Sequence, residues 1–159
     1  MIYTHSYNSP LGRIIVASHE EALIGLWFEG QKFFGTTLCE ASVEKKNTVL
    51  SEAHRWLDLY FSGCRPDFLP PLRLLGTPFQ QKVWQQLLVI PYGAITTYAQ
   101  LALACHTSAR AIGGAVGRNP ISLIVPCHRV IASDGSLTGY AGGTDRKKAL
   151  LDMEQSLIG

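Results

Sequence analysis

The residues best suited to covalent chemistry in this chain are Cys127 and His128, side by side in Pro126-Cys127-His128-Arg129. The thiolate of cysteine is a strong nucleophile, and a neighbouring imidazole is the usual means of forming one near neutral pH. Arg118-Asn119-Pro120 and the apolar run Ile121 to Val125 lead in, and Val130-Ile131 leads out. That framing predicts a buried turn rather than a surface loop. Taken alone, Cys127 is better read as a small core residue, since free cysteine is among the most buried types. The rest of the C-terminal half has to decide.

The chain has 159 residues, 47% of them apolar and 16% charged. Those values suit a globular protein of one ordinary or two small domains, not a disordered one. No segment has the length of a membrane span, and Met1 to His5 lacks the basic start of a signal peptide, so a cytoplasmic protein is expected. Cys39, Cys64, Cys105 and Cys127 are irregularly spaced and are expected to be reduced thiols. His5, Cys39, His54 and Cys64 show no ligand spacing, so no metal is expected. Net charge is only +2, but no Asp or Glu occurs between Asp67 and Asp134, where Arg73, Lys82, Arg110, Arg118 and Arg129 all lie. A surface that approaches phosphates gains from lacking carboxylates, although a core-rich segment would read the same way.

The elements that must position the pair begin with a sheet. Ile2 to Tyr7, Arg13 to Ser18 and Ala22 to Phe28 predict a small antiparallel meander. A helix follows from about Thr48 to Ser62, with Val49, Ala53, Trp56, Leu57 and Tyr60 on its apolar face. Residues 63–76, rich in Pro and Gly, predict a linker that is partly packed down. Thr77, Pro78 and Gln80 open the next helix as a capping box, with Phe79, Val83, Trp84, Leu87 and Leu88 facing inward. Thr97 to Gln100 repeats the box and opens a short helix ending near Ala104. Cys105 to Thr107 is the turn, and Ser108 caps a third helix, Ala109 to Gly117, completing a helix-turn-helix. Trp27, Trp56 and Trp84 are assigned to packing.

That third helix is unusual. Its glycines Gly113, Gly114 and Gly117 each cost about 1 kcal/mol relative to alanine. Such a cost implies close approach of the backbone, either to another helix or to nucleic acid. A helix with ordinary side chains is ~10–12 Å across, too wide for a minor groove of ~6 Å. Stripped to Ala and Gly, one face can press in and read shape rather than sequence. Arg110 sits in the first turn, where the helix dipole disfavours a cation, which suggests a partner to reach, although position alone favours a solvent-exposed arginine.

Arg110-Ala111-Ile112-Gly113, Gly117-Arg118-Asn119-Pro120, Ile124 to Ile131 and Gly139-Tyr140-Ala141-Gly142-Gly143 together resemble the O6-alkylguanine-DNA alkyltransferases. The likeness covers roughly residues 77–155. It implies an α/β N-terminal domain over 1–75, ribonuclease H-like, with a small antiparallel sheet plus a helix. A mainly α, winged-helix-like helix-turn-helix domain over 76–159 follows. It implies that Cys127 accepts the alkyl group, with His128 acting through a water as its base and Glu154 holding the imidazole. Tyr98 would donate a proton to the departing guanine and crowd the phosphate behind it. Arg110 would fill the space of the extruded base, while Ala109, Gly113, Gly114 and Arg118 would meet the DNA. Asn119 would tie this helix to the active-site turn. Pro126, Tyr140, Ala141, Gly142 and Gly143 would wall the pocket, and the carbonyls of Cys127 and Val130 would read the exocyclic amine. The implied partner is double-stranded DNA containing O6-alkylguanine, or O4-alkylthymine, bound through the minor groove by a monomer without cofactor. Ala141 and Ser122 stand where some members carry serine and proline, which bears on tolerance for larger alkyl groups.

The chemistry has its own logic. The lesion lies inside a duplex, so the base must be unstacked at a cost of roughly a few kcal/mol. The product is a thioether with no carbonyl for water to attack, so each molecule reacts once. Three other readings compete: a lesion sensor of the same fold, which would lack the cysteine; a Cys-His amidase or protease, which would turn over; and a major-groove regulator, whose recognition helix would carry several base-reading side chains rather than Arg110 alone.

Overall fold

The computed structural model describes residues 1–38 and 40–158. Cys39, one of the thiols considered above, lies outside the described residues.

The N-terminal half is a sheet with a helix against it. β1 (Ile2–Ser9) and β2 (Gly12–Ser18) form a tight hairpin in which Ser9 pairs with Gly12. β3 (Leu23–Phe28) continues the meander antiparallel to β2. Alternation divides the side chains, reset on β3 by a bulge beside Ala17 and Ser18 that groups Ile24 with Trp27 rather than with Leu26 and Phe28. Ile14, Val16, Leu26 and Phe28 meet the buried face of α1 (Thr48–Phe61), which carries Val49, Leu50, Ala53, Trp56, Leu57 and Tyr60. Ile2, Ala17, Ile24 and Trp27 form a second cluster of their own. Asn47 caps α1 by accepting from the Leu50 N–H. The expected meander acquires one further strand. β4 (Ser42–Glu44) lies beyond β1, parallel to it, in the order β3-β2-β1-β4. It has three exposed residues and no apolar face, so nothing in its composition announces a strand.

The C-terminal half is helical. α2 (Pro78–Leu88) has both arms of the capping box at Thr77 and Gln80. Val83, Trp84 and Leu87 are buried as expected, but Phe79 is 37% exposed, because the first turn extends past the core. β5 (Thr96–Thr97) leads into α3 (Tyr98–Cys105), again with a complete capping box. The helix runs one residue beyond Ala104 and stops where His106 takes a left-handed conformation (φ 55°), which turns the chain into α4 (Ala109–Gly117). Ser108 caps α4 through the Ala111 N–H. The Trp84 indole N–H donates to the Ala115 carbonyl at 2.8 Å and pins α2 to α4. A single 3-10 turn, Cys127–Arg129, runs into β6 (Val130–Ile131), which pairs parallel with β5. α5 (Thr144–Ile158) closes the fold.

β3 joins the halves. The Leu26 N–H donates to the Pro120 carbonyl at 2.8 Å, and the Ser122 N–H donates to the Leu26 carbonyl at 2.9 Å. On the same strand, Leu23 pairs with Leu72, so the 63–76 segment is packed down. The backbone that leads to Cys127 is thus anchored to the N-terminal sheet. No helix among the described residues is long and apolar enough to cross a membrane.

Candidate active site

Cys127 opens the 3-10 turn and is 4% exposed. Burial raises its thiol pKa above the usual cysteine value. The Asn119 side chain, the Lys147 charge and the N–H groups at the start of the turn pull it back down. Asn119 is buried at the end of α4, where its amide donates to the Val125 carbonyl (2.8 Å) and accepts from the Ile121 N–H (3.0 Å). It therefore ties α4 to the turn. Leu123, within the same segment, has φ 70°, a strained value for a residue with a Cβ, and strain of this kind gathers at functional sites.

His128 is wholly buried and its Nε2 lies 2.6 Å from Glu154 Oε2 on α5. Glu154 is held far below the usual carboxylate range: burial pushes it up, but His128 and Arg129 outweigh that. An ionised Glu154 can only accept, so Nε2 carries the imidazole hydrogen and Nδ1 is the bare nitrogen. Nδ1 is buried and has no hydrogen-bond partner. Burial lowers the His128 pKa, so the ring is neutral at rest and its free lone pair can take a proton.

The carboxylate that orients His128 is heavily ligated. Oε1 accepts from Arg129 Nε (2.8 Å) and the Gly93 N–H (3.2 Å). Oε2 accepts from His128, from Tyr60 Oη (2.6 Å) and from Arg129 Nη2 (3.2 Å). Arg129 is therefore buried in an ion pair, so of the two readings of the acid-free stretch it fits the core-rich one and not the phosphate-facing surface. Sequence reasoning also missed Tyr60 and Lys147. Lys147 is fully buried on α5; its Nζ donates to the Thr138 carbonyl at 3.4 Å and lies 5.7 Å from the Tyr98 ring. Burial lowers its pKa to about 8, against a rise from the Cys127 charge. Its signal was present: Lys147 precedes Glu154 by seven residues, two helical turns, on one face of one helix.

The remaining candidates surround this centre. Tyr98 donates to the Thr138 carbonyl at 2.9 Å, and its pKa is raised to about 12, by burial first and then by Cys127. Gly139 has φ 87°, and a Cβ there would stand 2.8 Å from the Tyr98 oxygen, so only glycine fits. Tyr140 is buried with an unpartnered hydroxyl, its pKa raised well above normal by burial and the nearby sulfur. Ala141 accepts from the Lys32 N–H at 3.1 Å, and Gly142 accepts from Arg146 Nη1 at 3.1 Å. The Gly143 N–H closes the loop onto Tyr140. The Pro126 carbonyl accepts from the Arg129 N–H, and the Cys127 carbonyl accepts from the Val130 N–H, which leaves one lone pair of that carbonyl.

Arg110 and Ala109 are exposed at the start of α4 and line a cavity of about 430 Å³ with Tyr98, Gly113, Thr138 and Gly139. Cys127 does not line it; Tyr98, Thr138 and Gly139 do. A larger cleft, about 640 Å³, is walled by Trp56, Phe68 and Tyr92 and meets the turn only through Pro126 and Arg129, so we place no chemistry there. Arg118 ends α4 with its guanidinium 4.3 Å over the Phe33 ring, held against the N-terminal half rather than projecting alone. A Cβ built on Gly113 or Gly114 meets nothing within 4 Å. Helix packing therefore does not account for these glycines. Among the described residues no group of three or more His, Cys, Asp or Glu could hold a metal ion.

Comparison with known proteins decides the family. Residues 2–74 match the 6-O-methylguanine DNA methyltransferase ribonuclease-like domain, and residues 78–156 match the DNA binding domain of the same family. This chain belongs to the 6-O-methylguanine DNA methyltransferase family. It is 43% identical to the methylated-DNA–protein-cysteine methyltransferase of Mycobacterium leprae, over 99% of this chain and 95% of that one. It is 42% identical to the constitutive enzyme of that name from Bacillus subtilis, over 98% and 96%. Mycobacterium tuberculosis OGT solved in complex with DNA superposes with a TM-score of 0.88 at 40% identity, covering 98% of this chain and 94% of that chain. The likeness spans both halves, so the ribonuclease-like sheet domain and the helical DNA-binding domain of a methyltransferase are both present.

Proposed function

We propose that this chain repairs DNA by moving the alkyl group of O6-alkylguanine irreversibly onto Cys127. One observation carries the reading. A shielded thiol is followed directly by a neutral histidine whose Nδ1 is bare and whose Nε2 is fixed by a buried carboxylate. That is the arrangement needed to strip a proton from a thiol on demand. The Cys127 proton passes through a water to His128 Nδ1. The thiolate then attacks the alkyl carbon in line, the carbon–O6 bond breaks, and its electrons go to the guanine ring, which takes a proton from Tyr98. The products are a thioether and unmodified guanine. Asn119, Pro126, Val130, Tyr140, Ala141, Gly142 and Gly143 form the pocket.

DNA binds through α4. The open space beside Gly113 and Gly114 supports a partner outside the molecule, and a side-chain-free face suits the minor groove. Arg110 enters the stack in place of the extruded base, while Ala109 and Arg118 line the approach. Division of labour falls at residues 75 and 76, and the protein acts as a monomer in the cytoplasm, beside its substrate. Tyr98 has to release the Thr138 carbonyl for a purine to pass from the cavity to the sulfur.

Incubation with duplex DNA bearing O6-methylguanine, followed by mass spectrometry of tryptic peptides, tests this. One added methyl on Cys127, in a stoichiometric burst without further turnover, is the expected result. Continued turnover, or methyl on Cys39, Cys64 or Cys105 instead, overturns the assignment.

A further inference from the structure

Tyr60 belongs to α1 in the N-terminal half, 94 positions before the carboxylate it touches. Its hydroxyl donates to Glu154 Oε2, the same oxygen that accepts from His128. Its ring also stands edge-on to the His128 ring, with centroids 6.5 Å apart, and is stacked on Trp56 at 5.1 Å. Burial and the Glu154 charge push the Tyr60 pKa far upward, so it is a neutral phenol that can only act here as a donor. It is not required to hold Glu154 in place, since Arg129 clamps both carboxylate oxygens and the Gly93 N–H adds a third tether.

What remains for Tyr60 is an electrostatic task. A carboxylate that shares its charge with an extra donor pulls less on its other partners. We propose that Tyr60 is a positioning residue for alkyl transfer, whose hydroxyl tempers Glu154 so that His128 stays neutral until the Cys127 proton arrives. The inference rests on the reading of Cys127, His128 and Glu154 given above. The other ionisable neighbours leave room for such a device. Arg129 and Lys147 both oppose a charge on His128, whereas Glu154 alone favours one. Around Glu154 itself stand His128 and Arg129, and it bears on the neutral phenols Tyr60, Tyr92 and Tyr140. Removing the phenol hydroxyl concentrates charge on Oε2 and makes His128 hold a proton more tightly.

The reaction needs neutral His128, so its rate falls on the acid side. In Tyr60→Phe the acid limb moves up by about one pH unit, the scale of one lost hydrogen bond to a charged group. Single-turnover transfer from O6-methylguanine duplex, with protein at saturating concentration, should therefore slow about tenfold below the limb while the alkaline plateau is kept. Replacement of Tyr60 by 3-fluorotyrosine, a stronger donor of nearly the same shape, should move the limb the other way. Should Tyr60→Phe fail to fold, the fluorinated protein decides alone. A pH-independent loss in Tyr60→Phe, or an unmoved limb in the fluorinated protein, overturns the role of Tyr60. Failure of the unaltered protein to transfer methyl at any pH would instead overturn the function on which it rests.

Discussion

A lysine buried without a carboxylate partner is costly, and among the described residues Lys147 meets a long hydrogen bond to the Thr138 carbonyl and the face of the Tyr98 ring at 5.7 Å. Its proton is held less tightly in the folded chain (pKa about 8) than in the unfolded one (10.5). The charge therefore costs stability at pH 7, and stability is regained as pH rises from about 8 to 10.5. The site offers one return for that cost, which is an anion on Cys127. Lys147→Met should then raise the melting temperature while slowing methyl transfer at pH 7 by about tenfold, the equivalent of one pKa unit in the thiol. The deficit should shrink with rising pH. Thermal melts and single-turnover rates on the same preparations check both halves; a variant that melts lower and transfers at the original rate would refute the account. Cys127, His128 and Glu154 were legible because a resemblance ordered them. Tyr60 was not, because its ring fits the apolar period of α1 and a hydroxyl leaves no trace in that pattern. Arg129 stayed open for a related reason: a cation in an acid-free stretch suits a phosphate-facing surface and a packed core alike until the distant Glu154 is brought to it.

At the scale of elements, α4 contradicts its own propensities. Two interior glycines weaken a nine-residue helix, and no internal neighbour requires them. Gly113→Ala or Gly114→Ala should stabilise the helix by about 1 kcal/mol each, raising the melting temperature by roughly 2–4 °C. The added methyl would stand in the open space assigned to the groove. DNA affinity should fall roughly tenfold, about 1.4 kcal/mol, while reaction with the free modified base is unchanged. Fluorescence anisotropy with a labelled duplex, beside a melt, reads both; undiminished DNA affinity would remove the groove from the explanation. The helices were legible in the sequence because capping is local: Thr77, Thr97 and Ser108 each act within three residues. β4 was not, since its existence depends on β1 offering an edge, and its three exposed residues add no pattern.

For the whole molecule, the sheet half and the helical half are joined by shared packing and hydrogen bonds. One apolar core runs from Ile14 and Val16 in the sheet, through Tyr60, to Ile121, Val125 and Leu150. β3 exchanges backbone hydrogen bonds with both the 63–76 segment and the segment that leads to Cys127. Arg146 reaches from α5 to the Leu11 carbonyl (2.9 Å) and to the Gly142 carbonyl, and the Lys32 N–H holds Ala141. Through Tyr60 the N-terminal half also reaches the carboxylate behind His128. Breaking any of these on one side strands polar or apolar surface on the other, which is the condition for all-or-none unfolding. Trp56 lies in one half and Trp84 in the other, and both are buried. Variants retaining only one of them, the remaining tryptophans replaced by phenylalanine, should therefore show coincident urea midpoints, and those midpoints should match the loss of helix by circular dichroism. Separate midpoints, with Trp84 and the methyl-acceptor activity surviving after Trp56 has been released, would show that the C-terminal half stands alone and that the sheet serves it only as a covering.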